Sequence, residues 1–216
     1  MNARDAILQR IRDGLSAEAP VELPPVPAVW PRTNPSPEQR VERFRRELEA
    51  VQGELIRCGS MDEARSKLAD LAQQAKWSVI GAADRPMCRE LLAGYPSDRT
   101  SWAKQGWDPK QIAELSVGLV AAESLLADTG TCLVANDTAE ERLLCYLPAT
   151  CVVVGRADQM AEHLPDAWED VARHTAEPDR RGEFVLITGP SRTADIEKIL
   201  ILGVHGPKRL VVVLVG

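Results

Sequence analysis

Two apolar runs near the end of the chain, separated by a polar segment, constrain the possible folds most. Residues 184–188 (FVLIT) are apolar and rich in residues that favour strands, and the pair Gly189-Pro190 ends this run. Residues 210–215 (LVVVLV) are an unbroken apolar run, too short to cross a bilayer and typical of a strand that is buried on both faces. With a helix between them, the two runs predict a βαβ unit of a parallel sheet.

The segment between these strands predicts a helix and an anion site. Ser191 or Thr193 can cap a helix that extends to about Leu200, and Asp195 lies in its first turn, near the positive end of the helix dipole. A right-handed crossover puts the loop before this helix at the carboxyl edge of the sheet, so Arg192 and the hydroxyls form a candidate cradle for an anion. The alternative is that the hydroxyls only cap the helix and Arg192 is solvated.

The middle of the chain predicts the same alternation of strands and helices. Strands are predicted at residues 53–58, 77–81 and 150–154. Helices are predicted where apolar residues recur at helical spacing, at residues 36–52, 61–75, 85–92, 111–115 and 157–173, the last of them kinked or split by Pro165. The alternation predicts an α/β fold with an open, mostly parallel sheet.

The first part of the chain has a different character. Residues 2–16 carry apolar residues at nearly helical spacing and predict an amphipathic helix. Residues 19–37 contain seven prolines, too many for a helix or an interior strand, and predict an extended arm. We therefore divide the chain into an N-terminal helix and Pro-rich arm, residues 1–37, and a main α/β domain, residues 38–216.

A β-hairpin is predicted between residues 117 and 136, where two apolar runs flank Asp128-Thr129-Gly130. The same triplet matches the catalytic loop of aspartic proteases. That chemistry needs two such loops that share a proton, and this chain has one copy. The turn of a hairpin explains the triplet.

Composition excludes several classes of function. A net charge of −6 and a pI near 5.2 argue against nucleic acid or an anionic membrane as the main partner. The five cysteines include no C-x-x-C pair and the three histidines no H-E-x-x-H spacing, so neither a metal site nor a disulfide framework is predicted. Charged residues interrupt every apolar stretch before Pro20, so no signal peptide is predicted and we expect a cytoplasmic protein.

Glu123 and His205 are the candidate proton handlers. Glu123 lies inside an apolar stretch and resembles a catalytic carboxylate if it is buried, or an ordinary surface residue if its strand turns it outward. His205 lies between glycines just before the last strand. Because histidine titrates near neutral pH, it can serve as an acid or base, or simply be a hydrogen-bonded loop residue.

Three segments together resemble a known family. They are A-E-S-L-L-A-D-T-G-T at residues 122–131, T-G-P-S-R-T-A-D-I-E at residues 188–197 and L-G-V-H-G-P at residues 202–207, which we call the signature segments. They resemble the lactate-utilization protein C family, whose core is called the LUD domain. The likeness covers roughly residues 40–216.

The resemblance implies a fold and a role. The implied fold is a three-layer α/β/α arrangement like that of the sugar-phosphate isomerase and CoA-transferase superfamily. The implied role is in the oxidation of L-lactate to pyruvate, together with two partner proteins that carry iron–sulfur clusters. This chain would then be the component without a cluster or other cofactor.

The signature segments also supply a candidate site for a small anionic metabolite. Its candidate binding residues are Asp128, Thr129, Gly130, Thr131, Gly189, Ser191, Arg192, Thr193 and Gly206. Its candidate catalytic residues are Glu123, Asp195 and His205. We expect the turns that begin at Asp128, Gly189 and Gly203 to meet around one positively charged hollow.

Two other functions stay open. A free-standing enzyme that acts on a phosphosugar or an acyl-CoA would use Glu123 as base or nucleophile. A purely structural or regulatory module would bind nothing at the signature segments. The residues do not decide whether the chain is itself a catalyst.

Overall fold

The structure is a computed structural model that describes residues 2–16, 30, 32–176, 183–193 and 201–216. The chain divides into two units, Met1–Pro31 and Arg32–Gly216. In the first unit, α1 (Ala3–Ser16) forms as the spacing of its apolar residues predicts.

The second unit alternates helices with strands. Its helices are α2 (Pro37–Ala50), α3 (Met61–Gln74), α4 (Pro86–Leu91), α5 (Pro109–Ala113), α6 (Ala139–Leu144) and α7 (Trp168–Thr175). Its strands are β1 (Glu54–Cys58), β2 (Ile80–Ala82), β3 (Thr100–Trp102), β4 (Val117–Ala121), β5 (Ser124–Leu126), β6 (Thr131–Asn136), β7 (Thr150–Arg156), β8 (Met160–Ala161), β9 (Glu183–Ile187), β10 (Arg192–Thr193), β11 (Ile201–Leu202) and β12 (Arg209–Val215). No helix within the described ranges is both long and apolar enough to span a bilayer.

The main sheet has six strands in the order β1-β12-β7-β4-β2-β3, and every pair in it is parallel. Strands β7 and β12 lie side by side in its centre, and their valines are fully buried, as expected of strands covered on both faces. Right-handed crossovers place α3 and α4 on one face and α5 and α6 on the other. The predicted α/β class with an open parallel sheet is confirmed.

A second sheet, with the order β8-β5-β6-β9, covers part of the face that carries α6. Strands β5 and β6 form an antiparallel hairpin, which confirms the turn predicted at Asp128 to Gly130. The predicted first strand of that hairpin is wrong in part, because Val117–Ala121 belongs to the main sheet instead. One face of β6 contributes to the main core, and the other packs under Ala167.

The predicted βαβ unit is wrong. Both of its strands exist, but β9 pairs antiparallel with β6 in the second sheet, whereas β12 lies between β1 and β7 in the main sheet. Strands β10 and β11 pair with each other in an antiparallel ribbon. The helix predicted to reach Leu200, including Asp195, lies outside the described residues.

The helix predicted at residues 157–173 is also wrong in its first half. Residues 157–159 and 164–167 form short 3-10 turns, β8 lies between them, and α7 begins only at Trp168. Pro165 lies near the start of the second 3-10 turn, where its missing N–H needs no partner. The apolar spacing around Met160 reflects pairing with Leu125 of β5 instead of a helical face.

Candidate functional site

The first two signature turns meet at the end of α2. The first turn, residues 128–131, is joined to the second, residues 188–191, by a 2.7 Å hydrogen bond between the hydroxyls of Thr131 and Thr188. A Cβ placed on Gly130 would lie 2.3 Å from the backbone nitrogen of Leu48. Both Gly130 and Gly189 have positive φ angles. These glycines allow the turns to pack directly on the helix backbone.

The third turn, residues 203–207, contacts the second through its backbone. The amide of Ser191 donates to the carbonyl of Pro207 at 2.9 Å, and the amide of Gly203 donates to the carbonyl of Ser191 at 2.9 Å. The three signature turns therefore form one continuous cluster, although they come from distant parts of the sequence.

A cavity of about 340 Å³ lies beside the second and third turns. Its lining residues are Cys145, Tyr146, Cys151, Phe184, Val185, Leu186, Ile187, Thr188, Gly189, Ser191, His205, Gly206, Pro207 and Leu210. Because Cys151 and Leu210 stand near the beginning of β7 and β12, the cavity is at the amino ends of the parallel strands. The predicted position at the carboxyl edge is therefore wrong, since it depended on β9 belonging to the main sheet.

The cavity brings together some of the predicted binding residues. Gly189, Ser191, His205 and Gly206 all line it. Among the residues that the structure describes, no lining side chain is a carboxylate that would repel an anion. Burial raises the pKa of the Tyr146 phenol, which therefore stays a neutral hydroxyl near pH 7.

Arg192 and Thr193 are placed differently. The Arg192 guanidinium donates to the carbonyl of Val51, just after α2, at 2.8 Å, and Arg192 does not line the cavity. Thr193 pairs with Ile201 in the β10–β11 ribbon. The structure thus uses Arg192 to hold the second turn against the end of α2, where a cation matches the negative end of the helix dipole.

Glu123 and His205 lie at opposite ends of the main sheet. Glu123 follows β4 at the carboxyl end, whereas His205 precedes β12 at the amino end. Strands of this length separate the two ends by about 15 Å. The two residues cannot act together on one reacting atom.

The first turn joins a buried polar cluster instead of the cavity. Asp128 lies 2.8 Å from Nδ1 of His163, and Nε2 of His163 lies 3.5 Å from Glu162. The amide and hydroxyl of Thr33 donate to the same Glu162 carboxylate, at 3.1 and 2.5 Å. Sequence reasoning missed His163, Glu162 and Thr33, because these contacts span distances along the chain that no local pattern reveals.

A row of hydroxyls connects this cluster with the second turn. Thr129 donates to Asp128 at 3.3 Å, and Thr131 donates to Thr129 at 2.8 Å. Thr131 has then used its only proton, so Thr188 is the donor in their 2.7 Å bond. The conformation of the second turn is thereby linked to the Asp128–His163 pair.

We expect the hydrogen bonds of Glu162 to make stability depend on pH. The Thr33 hydroxyl is the main cause that lowers the pKa of the Glu162 carboxyl. A carboxyl whose pKa is lower in the folded state than in the unfolded state stabilises the fold at every pH above its unfolded-state pKa. This stabilisation is lost as the pH falls through the folded-state pKa. Thr33→Val should therefore be less stable than the wild type at pH 7, and the difference in stability should narrow as the pH falls below about 4.

Urea midpoints of both proteins at pH 7, 5 and 3.5 check this expectation. Thr100→Val is the matched control, because its hydroxyl donates to the backbone carbonyl of Pro96, which does not titrate. The loss of stability that Thr100→Val causes should be the same at every pH. A Thr33→Val gap that is equally constant would contradict a role for the Glu162 charge.

The cysteines are buried thiols. All five are free, and Cys145 and Cys151 line the cavity. Burial raises the pKa of Cys145 to about 12 and raises that of Cys151 as well. Neither thiol is a nucleophile near neutral pH. Across the described part of the chain, no three His, Cys, Asp or Glu side chains are arranged to hold a metal ion.

Comparison with known proteins places this geometry in a family. The chain is 26% identical to "Lactate utilization protein C" of Bacillus pumilus over 194 residues, which cover 83% of this chain and 80% of the relative. It is 29% identical to the protein of the same name from Bacillus subtilis over 135 residues, which cover 58% of this chain and 55% of the relative. The chain thus spans only about half the length of several relatives.

A solved structure has the same fold. The crystal structure of a DUF162 family protein from Deinococcus radiodurans superimposes with a TM-score of 0.64 at 20% identity, covering 84% of this chain and 99% of that one. The family model of the LUD domain matches residues 41–215, which include all three signature turns and the cavity. This chain belongs to the LUD domain family.

Proposed function

We propose that this chain acts in lactate utilization, as the component without a cluster in a system that oxidises L-lactate to pyruvate with two iron–sulfur proteins. The name "Lactate utilization protein C" of relatives that align over most of the chain supports the pathway. The cysteines support a chain without an iron–sulfur cluster. Cluster ligands are thiolates, whereas the thiols described here are buried and have raised pKa values. We assign the electron carriers to the partners.

The observation that carries this proposal is the cavity between the second and third signature turns. Its volume of about 340 Å³ accommodates a small carboxylate such as lactate or pyruvate. The Ser191 hydroxyl and the His205 imidazole can donate hydrogen bonds and line the cavity, and Gly189 and Gly206 line it beside them. We infer that the anion binds at this end of the cavity.

A thermal-shift titration of the purified chain tests anion binding. Lactate, pyruvate, phosphate and CoA are added separately, and a ligand at ten times its Kd should stabilise the native state by about 1.4 kcal/mol. The double variant Ser191→Ala/His205→Leu should lose this shift. Arg192→Gln is the control, since Arg192 contacts Val51 and does not line the cavity. Loss of the shift in the control alone would place the anion elsewhere.

Deletion and co-purification test the role in lactate oxidation. Removing the chain from a bacterium that carries it should abolish oxidation of L-lactate, and re-expression should restore it. The tagged chain should co-purify with both iron–sulfur proteins. Cluster-dependent lactate oxidation that continues undiminished without the chain would refute the proposal.

A further inference from the structure

Among the described strands, β9 bonds to β6 alone, and its other edge faces the cavity. The carbonyl of Leu133 in β6 accepts from the amide of Glu123 at 2.8 Å, so Leu133 points its backbone groups toward β5. Because these groups alternate along a strand, Cys132 and Val134 point theirs toward β9. It follows that Val185 and Ile187 bond to β6.

The residues in between, Phe184 and Leu186, turn their backbone groups to the other edge of β9. Phe184 and Leu186 direct their N–H and C=O groups away from β6, and within the described ranges no strand pairs with them. Soluble proteins usually protect such edges with proline, lysine, a bulge or a covering segment. The interior of β9 (Phe184 to Leu186) has neither a proline nor a lysine.

A groove runs along this edge, which we call the β9 groove. One wall is β9 itself, whose residues line the cavity from Phe184 onward, and Tyr146 stands on the opposite wall. The contact between Ser191 and Pro207 closes one end. An edge of this length, about 17 Å, matches an extended segment of about five residues.

The surface around the groove has apolar side chains and, at one end, the cation of Lys208. Leu186 is 50% exposed and Tyr146 is 41% exposed, so apolar surface is available to an added segment on both walls of the groove. His205 and Lys208 are exposed at the closed end, and the described lining of the groove contains no carboxylate. At the open end, the charge of Glu183 is matched by Arg142.

We propose that the β9 groove binds an extended segment of a partner protein, which adds a strand to the free edge of β9. Backbone hydrogen bonds to Phe184 and Leu186 would give affinity, as in other cases of strand addition. The exposed ring of Tyr146 favours a segment with an apolar residue above it. The charge of Lys208 favours an acidic residue of the segment nearby. The small carboxylate of the proposed function binds at the end of the cavity that Ser191 lines. This inference rests on the proposed function, because it takes the partner to be one of the two iron–sulfur proteins.

Two substitutions at Leu186 separate the contribution of its backbone N–H from that of its side chain. Leu186→Pro removes the outward N–H and leaves the bonds of Val185 and Ile187 to β6 intact, since edge strands tolerate proline where the N–H is not paired within the sheet. Leu186→Thr keeps the N–H and removes the apolar side chain. Lys208→Glu, on the exposed rim, reverses a charge without touching the strand.

The measurement is titration calorimetry of the full-length chain with each purified iron–sulfur protein. With one of them, Leu186→Pro should weaken binding at least tenfold and Leu186→Thr less than threefold, and Lys208→Glu should weaken it severalfold, more at low salt. Hydrogen exchange in the wild-type complex should protect the amide of Leu186. This last readout does not depend on any variant folding.

The outcomes separate the two proposals. A wild-type chain that binds neither iron–sulfur protein contradicts the proposed function, and the partner assignment falls with it. Binding that is unaffected by Leu186→Pro, without protection of the Leu186 amide, overturns strand addition alone. If the chain sediments as a dimer that Leu186→Pro converts to monomer, the edge is occupied by a second copy, and the assignment to a partner protein is wrong.

Discussion

Replacing Gly130 by alanine should lower the free energy of unfolding by about 3 kcal/mol or more. Gly130 has a φ of +63°, in the left-handed region where a Cβ is strained. The new Cβ would also lie 2.3 Å from the nitrogen and 2.7 Å from the Cα of Leu48, both of them helix backbone that cannot rotate away. Either the first turn or the end of α2 must shift. Urea unfolding followed by circular dichroism measures the loss.

Gly106→Ala is the matched control for this prediction. Gly106 has a similar φ of +78°, but a Cβ there would meet nothing within 4 Å. Its cost should therefore be that of the backbone conformation alone, about 1 kcal/mol. The difference between the two variants measures the close approach to α2. Equal losses would show that packing on Leu48 contributes nothing.

The Gly130 contact changes the meaning of the Asp128-Thr129-Gly130 triplet. Its resemblance to a protease loop is incidental, because the aspartate bonds to His163 and the glycine packs on α2. The turn could be predicted from the triplet, since aspartate and glycine favour turns. The need for glycine in particular could not, because the atoms that forbid a side chain belong to Leu48, far earlier in the chain.

Much of the fold follows from local pattern. Strands β1, β7 and β12 and helices α2 and α3 lie close to their predicted bounds. Their signals are strong because continuous apolar runs and clear helical stripes are hard to satisfy in any other structure. In α2 the pattern and the caps agree, since Ser36 and Gln39 form a capping box and Phe44 and Leu48 are fully buried.

The pairing of β9 shows where local pattern stops being informative. An apolar run predicts a strand, but it does not say which sheet receives the strand. The difference between β9 and β12 lies in their exposure: Leu186 is 50% exposed, whereas residues 210–214 are almost completely buried. Because β9 was predicted to belong to the main sheet, the site was predicted at the carboxyl edge of that sheet, whereas it lies at the amino edge.

The candidate site was therefore predicted only in outline. The signature segments indicated that three turns converge, and the structure brings Gly189, Ser191, His205 and Gly206 to one cavity. Local sequence did not reveal that Arg192 would donate to Val51 or that Asp128 would pair with His163. These are long-range contacts set by packing on α2, and they separate residues that hold the turns from residues that line the cavity.

Arg85→Met should cost about 3 kcal/mol, because it breaks a buried ion-pair network. Arg85 stands at the start of α4 and bonds to Asp137 and Glu141, each at 2.7 Å, with 14% of its own side chain and 8% of that of Glu141 exposed. Burial lowers the pKa of Arg85, but the two carboxylates outweigh it and raise the pKa overall, so the charge is retained. Methionine would fill the space of the stem and leave Glu141 buried without its cation.

Two further variants distinguish charge burial from lost packing. Arg45→Met removes an arginine whose partner Glu42 is 52% exposed, and its effect on the free energy of unfolding should be far smaller than that of Arg85→Met. Adding Glu141→Gln to Arg85→Met should recover at least about 1 kcal/mol, since a buried amide is less costly than a buried unpaired carboxylate. A double variant no more stable than Arg85→Met would mean that the arginine stabilises the fold by packing. Asp137 lies between β6 and α6, Glu141 lies in the first turn of α6, and Arg85 lies between β2 and α4. A measured contribution of the charges would therefore show that this network holds the second sheet to the main one.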